Sequence, residues 1–341
     1  MIDTTPGTAK PRVTLCSTVS EASGEDPAGS AWATRRYLLI ELPLPWQYDV
    51  LAGKRIPAGL RDLVYEIYER LPEPWGMIGI APDPDYSVEG MTRIIDLQQG
   101  DDLAAAYHRD EYLAPNDEAV EILRLLSYEP THPRLAELRL PDDQVTRDFC
   151  ICTHGAVDAC CATVGYPIYK LMRAMADRAD PPTRVWRCTH FGGHRFAATA
   201  LEAPQGRYWG YLKADMLSAL IHRTGEPREL RRHYRGWAAL TEPLWQIAEA
   251  EVLNTAGWDW LNATITDISG VVTAEQGGTL AISFRHPAVG SGEIDVAITP
   301  TGTVKTMENS NDETLIDAPQ YSARIASERP EGCLSISDGR V

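Results

Sequence analysis

Four of the chain's seven cysteines fall within twelve positions: Cys150, Cys152, Cys160 and Cys161. Seven cysteines in 341 residues are too few for a disulfide scaffold. In an intracellular chain such a cluster points to metal binding or catalysis rather than to cross-links. A second segment, Cys188-Thr-His190-Phe-Gly192-Gly193-His194-Arg-Phe, carries two histidines with three residues between them. Each segment sits where an expected strand runs into a loop, so a rigid sheet would present ligands from flexible backbone. Gly192-Gly193 lets the chain turn sharply, so that both imidazoles can face one point. Thiolate and imidazole together suit zinc or an iron–sulfur centre. The histidine spacing is that of a zinc finger's second half. The cysteine spacing is not: seven or eight residues separate Cys152 from Cys160 or Cys161, which a binuclear cluster accommodates more easily.

The rest of the chain sets the frame. Residues 1–34 read as an irregular lead-in rich in Ser, Thr, Gly and Pro. A strand is expected at Tyr37–Leu42, then a helix at about Ala58–Leu71, where Leu60, Leu63, Val64, Ile67 and Leu71 make one apolar face. Strands follow at Gly76–Ala81 and Arg93–Leu97, with helical patterning near Ala119–Leu126. Strand, helix, strand implies an α/β sheet. The Pro-rich stretch at Pro130–Pro141 marks a boundary. Beyond it come a strand at about Val145–Cys152, a helix at about Val164–Ala176, a strand at Arg184–Cys188, a hairpin over Phe196–Leu212 and a helix at about Asp215–Arg223. That β-α-β-β-β-α order suits a thioredoxin-like sheet. A helical stretch from Glu229 to Ala256, broken at Pro243, precedes alternating runs such as Leu280–Phe284 and Ile294–Ile298, expected to be antiparallel strands. Residues past Asn309 are expected to be loosely ordered. No repeat shows at the usual solenoid periods.

The cysteine–histidine segments resemble a known family. Cys152-Thr-His-Gly-x-x-Asp158-x-x-Cys161, followed by Trp186-x-Cys-Thr-His190-x-Gly-Gly-His194-Arg-Phe-Ala, is similar to the sucrase/ferredoxin-like family. The resemblance is strongest over Asp148–Leu212, and weaker at Cys16-Ser17, Tyr37–Leu42 and Tyr234-Arg-Gly236. It implies a thioredoxin-like ferredoxin domain with a 2Fe–2S cluster held, as in a Rieske centre, by two Cys and two His. Carried over, the ligands are Cys152, Cys161, His190 and His194. Cys160 is the fallback ligand, because the cysteine three residues after the aspartate is the one that persists in the family. The family's usual Arg before the aspartate is Val157 here. His154 is expected behind the ligands or as an alternative ligand. Asp158 is expected to cap the helix entering at Cys161 or to bond the loop, and Arg195 to pair near the cluster or with a partner carboxylate. Cys16, Cys150, Cys188 and Cys333 read as small hydrophobes.

The fold expected is therefore α/β: an N-terminal α/β unit (1–140), a thioredoxin-like 2Fe–2S ferredoxin domain (141–225), then a helical segment and a small antiparallel β tail (226–341). Lys plus Arg is 32 against 48 Asp plus Glu, a net charge of −16. That argues against nucleic-acid binding and favours a basic redox partner, a donor or acceptor such as a reductase. No run of 18 apolar residues and no signal-like N-terminus occur, so a cytoplasmic protein without membrane insertion is expected. There is no dinucleotide fingerprint, Walker loop or nucleophile elbow, so electrons would come from another protein or a small reductant. The expected function is electron transfer. Its competitors are direct reduction of a ferric complex, a structural zinc module, and thiol redox chemistry at Cys160-Cys161.

Overall fold

A computed structural model describes residues 13–71, 75–141, 147–176, 179 and 182–330. Helix α1 (Cys16–Ser23) comes first, then β1 (Arg36–Glu41), α2 (Leu60–Arg70), β2 (Trp75–Ile80), β3 (Met91–Gln98), β4 (His108–Pro115), α3 (Ala119–Tyr128) and α4 (Pro133–Leu138). The apolar run in β1 is buried on both faces, as its lack of polar alternation requires. Leu38 and Ile40 join Leu60, Leu63, Val64 and Ile67 of α2 and Ile122 and Leu123 of α3 in one cluster. Tyr37 and Leu39 point the other way, into the main core. β2 runs parallel to β1, β3 antiparallel to β1, and β4 antiparallel to β3.

The second unit repeats this plan: β5 (Arg147–Cys152), α5 (Tyr166–Ala176), β6 (Thr183–Cys188), β7 (Ala200–Ala203), β8 (Arg207–Trp209), α6 (Leu217–His222). β6 is parallel to β5, β7 antiparallel to β5, and β8 antiparallel to β7. The order β6-β5-β7-β8 is that of a thioredoxin-like sheet. The first unit has the matching order β2-β1-β3-β4, so the chain holds a topological repeat that its residue pattern hides. The two halves join edge to edge. Ile80 of β2 pairs with Cys188 of β6, flanked by Ala81 N–H to Arg187 O (2.9 Å) and Thr189 N–H to Gly79 O (2.8 Å). They also meet through their faces. Asp148, fully buried on β5, accepts from Arg109 of β4, from Arg184 and from the Trp186 indole, and the Tyr208 hydroxyl donates to that of Tyr37.

β9 (Tyr234–Trp237) adds to β8 as the ninth strand. Then α7 (Pro243–Ala256), with proline at the helix start where its missing N–H costs nothing, leads to a four-stranded antiparallel sheet: β10 (Thr264–Thr273), β11 (Gly277–His286), β12 (Gly290–Thr306) and β13 (Ile316–Pro330). Leu280, Ile282, Phe284, Ile294 and Val296 of that sheet belong to the main core. Among the described residues no helix is long and apolar enough to cross a membrane.

Three expectations are corrected. The lead-in contains α1. The stretch after Glu229 is not one broken helix, because Tyr234–Trp237 is a strand. Past Asn309, Ile316–Pro330 forms β13, paired along nearly the whole of β12, and residues 331–341 lie outside the described residues. Cys333 lies outside the described residues.

Candidate metal centre

β5 and β6 run side by side in the same direction, so their C-terminal ends deliver Cys152 and the loop after Cys188 to one place. The chain after Cys152 crosses to a π-helical turn, Cys161–Gly165, that opens α5. Gly165 lies against the Cys152 carbonyl, where an added Cβ would come within 2.1 Å of the oxygen. That close approach seats the Cys161 turn against the end of β5. After β6, Gly192 (φ +89°) and Gly193 (φ +73°) turn the chain in left-handed conformations that favour glycine. They return His194 over His190, with ring centroids 5.1 Å apart and planes inclined by 27°.

Cys152 Sγ, Cys161 Sγ and a ring nitrogen of His190 lie within 4.8 Å of one another. His190 Nδ1 is 3.7 Å from Cys152 Sγ and 3.8 Å from Cys161 Sγ. Both cysteines are buried. The hydrogen bond from Cys161, helped by His190 and opposed by burial, pulls the Cys152 thiol down to about 5, while Cys161 is pushed up by that same contact. Proximity thus favours one thiolate in the pair, and a cation would favour both. His194 Nε2 donates to the Glu308 carbonyl at 2.8 Å. That bond assigns the proton to Nε2 and leaves Nδ1 as a bare acceptor. Nδ1 is buried with no hydrogen-bond partner. The group within 4.8 Å does not include His194, but an orphaned imidazole nitrogen on a ring stacked against His190 fits a fourth donor to a metal group of S2N2 type.

The neighbouring residues have separate duties. His154 Nε2 donates to Gln47 O (2.7 Å), and Nδ1 accepts from His190 N–H (3.3 Å). Both ring nitrogens are committed, so His154 holds the His190 backbone and offers no ligand atom. Asp158 Oδ1 accepts from Cys160 N–H (2.9 Å) and Ser310 Oγ (2.6 Å), and Oδ2 from Ser310 N–H (2.8 Å). Burial alone would raise its carboxyl, but these bonds outweigh it and hold Asp158 down at about 2. Arg195 does not reach the donors; it pairs with Glu25 at 2.8 Å. Cys160 Sγ turns away from His190, toward His194 O (3.0 Å) and Cys16 Sγ (3.4 Å). Cys16, Cys160 and Asp158 form a second group of donors within 4.8 Å. Cys150 and Cys188 are buried in the core.

Several residues here carry no signal in the sequence. Glu308 and Gln47 act through backbone carbonyls, which every residue has. Ser310 comes from the β12–β13 connection, and Cys16 carries only a small patch of the family resemblance. Arg235 is fully enclosed beneath the histidine turn. Its guanidinium donates to Gly192 O (3.2 Å), Ser30 Oγ (3.0 Å) and Ser30 O (2.5 Å). Burial lowers it to about 10, so it remains a cation at neutral pH.

A thioredoxin-like sheet whose adjacent parallel strands lead into cysteine and histidine segments that converge defines a candidate metal-binding protein. A family model described as Sucrase/ferredoxin-like matches residues 27–236, more than half of the chain, and the chain belongs to that family. No curated protein and no solved structure matches it.

Proposed function

We propose that the chain is an electron-transfer protein carrying one 2Fe–2S cluster on Cys152, Cys161, His190 and His194. The observation that carries this reading is the buried, partnerless Nδ1 of His194, stacked beside a cysteine–histidine group that already converges. A 2Fe–2S cluster, when bound, would supply one-electron chemistry, with histidine ligation raising the potential. The protein's part is electrostatic and geometric. Two thiolates and two neutral imidazoles balance a +2 core, so an added electron brings the site only to about −1, against −3 for four thiolates. Arg235 offsets part of that charge from below. The carbonyl of Glu308 and the backbone bond through His154 fix the imidazoles in place. The net charge of −16 suits a basic donor or acceptor protein, with an association that slows as salt rises.

Anaerobically purified protein is expected to be red-brown, with about two iron and two acid-labile sulfide per chain. Stoichiometric zinc without sulfide would overturn the reading. Zinc is the second reading because one observation favours it. The distances of 3.7 and 3.8 Å from His190 Nδ1 to the two sulfurs are close to the ~3.6 Å edge of a tetrahedron with ordinary Zn–S and Zn–N bonds.

A further inference from the structure

One cleft of about 410 Å³ opens beside the centre, lined by Pro45, Trp46, Thr153, His154, Gly155 and Arg187. It lies where the loop after β1 meets the loop after β5, at the junction of the two thioredoxin-like units. His154 forms part of its wall and contacts the His190 backbone directly, so whatever occupies the cleft is one side chain away from a candidate ligand. Its volume falls in the ordinary range for small-molecule sites.

Arg187 gives the cleft its chemistry. Its Nε donates to Thr153 Oγ1 at 3.3 Å, and its guanidinium lies 4.9 Å from the centre of the Tyr166 ring. Among the described residues no carboxylate pairs with it. The contrast with its neighbours is sharp: Arg184 is tied to Glu111 and Asp148, Arg173 to Asp83 and Asp85, and Arg195 to Glu25. In a chain with sixteen excess negative charges, a cation left without a carboxylate at the mouth of a cleft is a local exception to a field that repels anions. Thr153 and the Tyr166 face hold the guanidinium, leaving its remaining N–H groups for a bidentate acceptor. Trp46, set edge-on to His154 with centroids 5.8 Å apart, supplies an aromatic wall.

We propose that this cleft binds a small polyanion, of the class of anionic metal chelates, with Arg187 as its anchor, and presents it to the neighbouring centre as a one-electron acceptor. The electron-accepting half rests on the electron-transfer reading above; the binding half does not. In the redox step the reduced protein loses one electron and the bound chelate gains it, with no proton or bond exchanged.

Two measurements on the full-length protein test the halves separately. Titration calorimetry with hexacyanocobaltate(III), a redox-inert trianion, is expected to show one site. Arg187→Gln should weaken it about tenfold or more, the loss of one charge-assisted contact, and Arg187→Lys, which keeps the charge but loses the guanidinium fork, should fall between wild type and Arg187→Gln. Thermal melting of each variant checks folding, and the Lys variant keeps the test valid if the Gln variant fails. In stopped flow, protein reduced with dithionite and then desalted should be reoxidised by ferricyanide about tenfold more slowly in Arg187→Gln, while hexaammineruthenium(III), a trication, is not slowed. No binding of hexacyanocobaltate, or equal binding in wild type and Arg187→Gln, would overturn the proposal. Arg187-dependent binding in a protein with no reducible centre would leave the anion site standing and remove the electron-transfer reading instead.

Discussion

Gly192 and Gly193 are adjacent, both left-handed, and sit between the two candidate ligand histidines, yet they should respond very differently to one added methyl group. At Gly192 an added Cβ meets nothing within 4 Å. Gly192→Ala should therefore cost only the left-handed strain of a non-glycine residue, about 1 kcal/mol. At Gly193 the same carbon would lie 2.3 Å from Arg235 Nη2 and 2.5 Å from its Cζ. A long side chain normally moves aside cheaply, but this one is fully buried and held by Ser30 and Gly192. To the same strain Gly193→Ala adds about 1–3 kcal/mol of overpacking, and about 1.5–3 kcal/mol for one bond lost from a buried cation. The total is about 3.5–7 kcal/mol against about 1. Differential scanning calorimetry of the two variants reads the gap. With about 2–4 °C per kcal/mol for a large domain, Gly193→Ala should melt at least 5 °C below Gly192→Ala. Equal melting temperatures would refute the claim that Arg235 is a fixed support beneath the histidine turn.

Other outcomes follow from the same geometry. His154→Ala should keep the metal stoichiometry, whereas His190→Ala and His194→Ala should each lower it, as measured by elemental analysis. His190→Cys should retain a cluster at a lower potential in a redox titration, because a thiolate adds negative charge. Ser310→Ala should reduce stability by about 1.5–3 kcal/mol in urea unfolding, since it removes a donor from the buried Asp158 carboxylate. Burial lowers the pKa of His233, so the unfolded chain binds its proton first. Stability should then fall as pH drops below about 6.5 and be unaffected by this group above it, and His233→Gln should flatten that part of a melting-temperature profile.

What the sequence made legible was what side chains announce. The apolar face of α2 and the parallel strands ahead of each ligand segment could be read from spacing. The two ligand segments stood out because Cys, His and Gly-Gly are rare in that combination. What was missed has a common physical cause. In α1, Cys-Ser-Thr-Val-Ser-Glu-Ala-Ser has no strong helix formers on its inner face. The buried residues are Cys16, Ser17 and Ser20, and Ser20 is held by Tyr211 and Glu25, so tertiary contacts override propensity. β9 carries Arg235 and Gly236, which read as solvent-facing or strand-breaking, yet every residue of that strand is buried. In β13, Ala318 is buried and Tyr321, Ala323 and Ile325 pack on the main core only in part, so the alternation of this edge strand, paired through its backbone, is short and weak in the sequence.

The centre's ligands and its supports come from different parts of the chain. All four candidate ligands lie in the second thioredoxin-like unit and inside the span that matches the family, residues 27–236. Several of the groups that orient them come from outside that unit. Gln47 of the first unit receives the His154 proton. Glu308 receives that of His194, and Ser310 anchors Asp158; both belong to the connection between β12 and β13. That connection is itself pinned to the start of α1, where Asn311 N–H donates to Thr14 O and Thr14 N–H to Asn311 Oδ1. The C-terminal sheet therefore acts on the centre as a strap across the mouth of the second unit. Loosening the strap would free the His194 ring to rotate and so weaken the site without touching a single ligand.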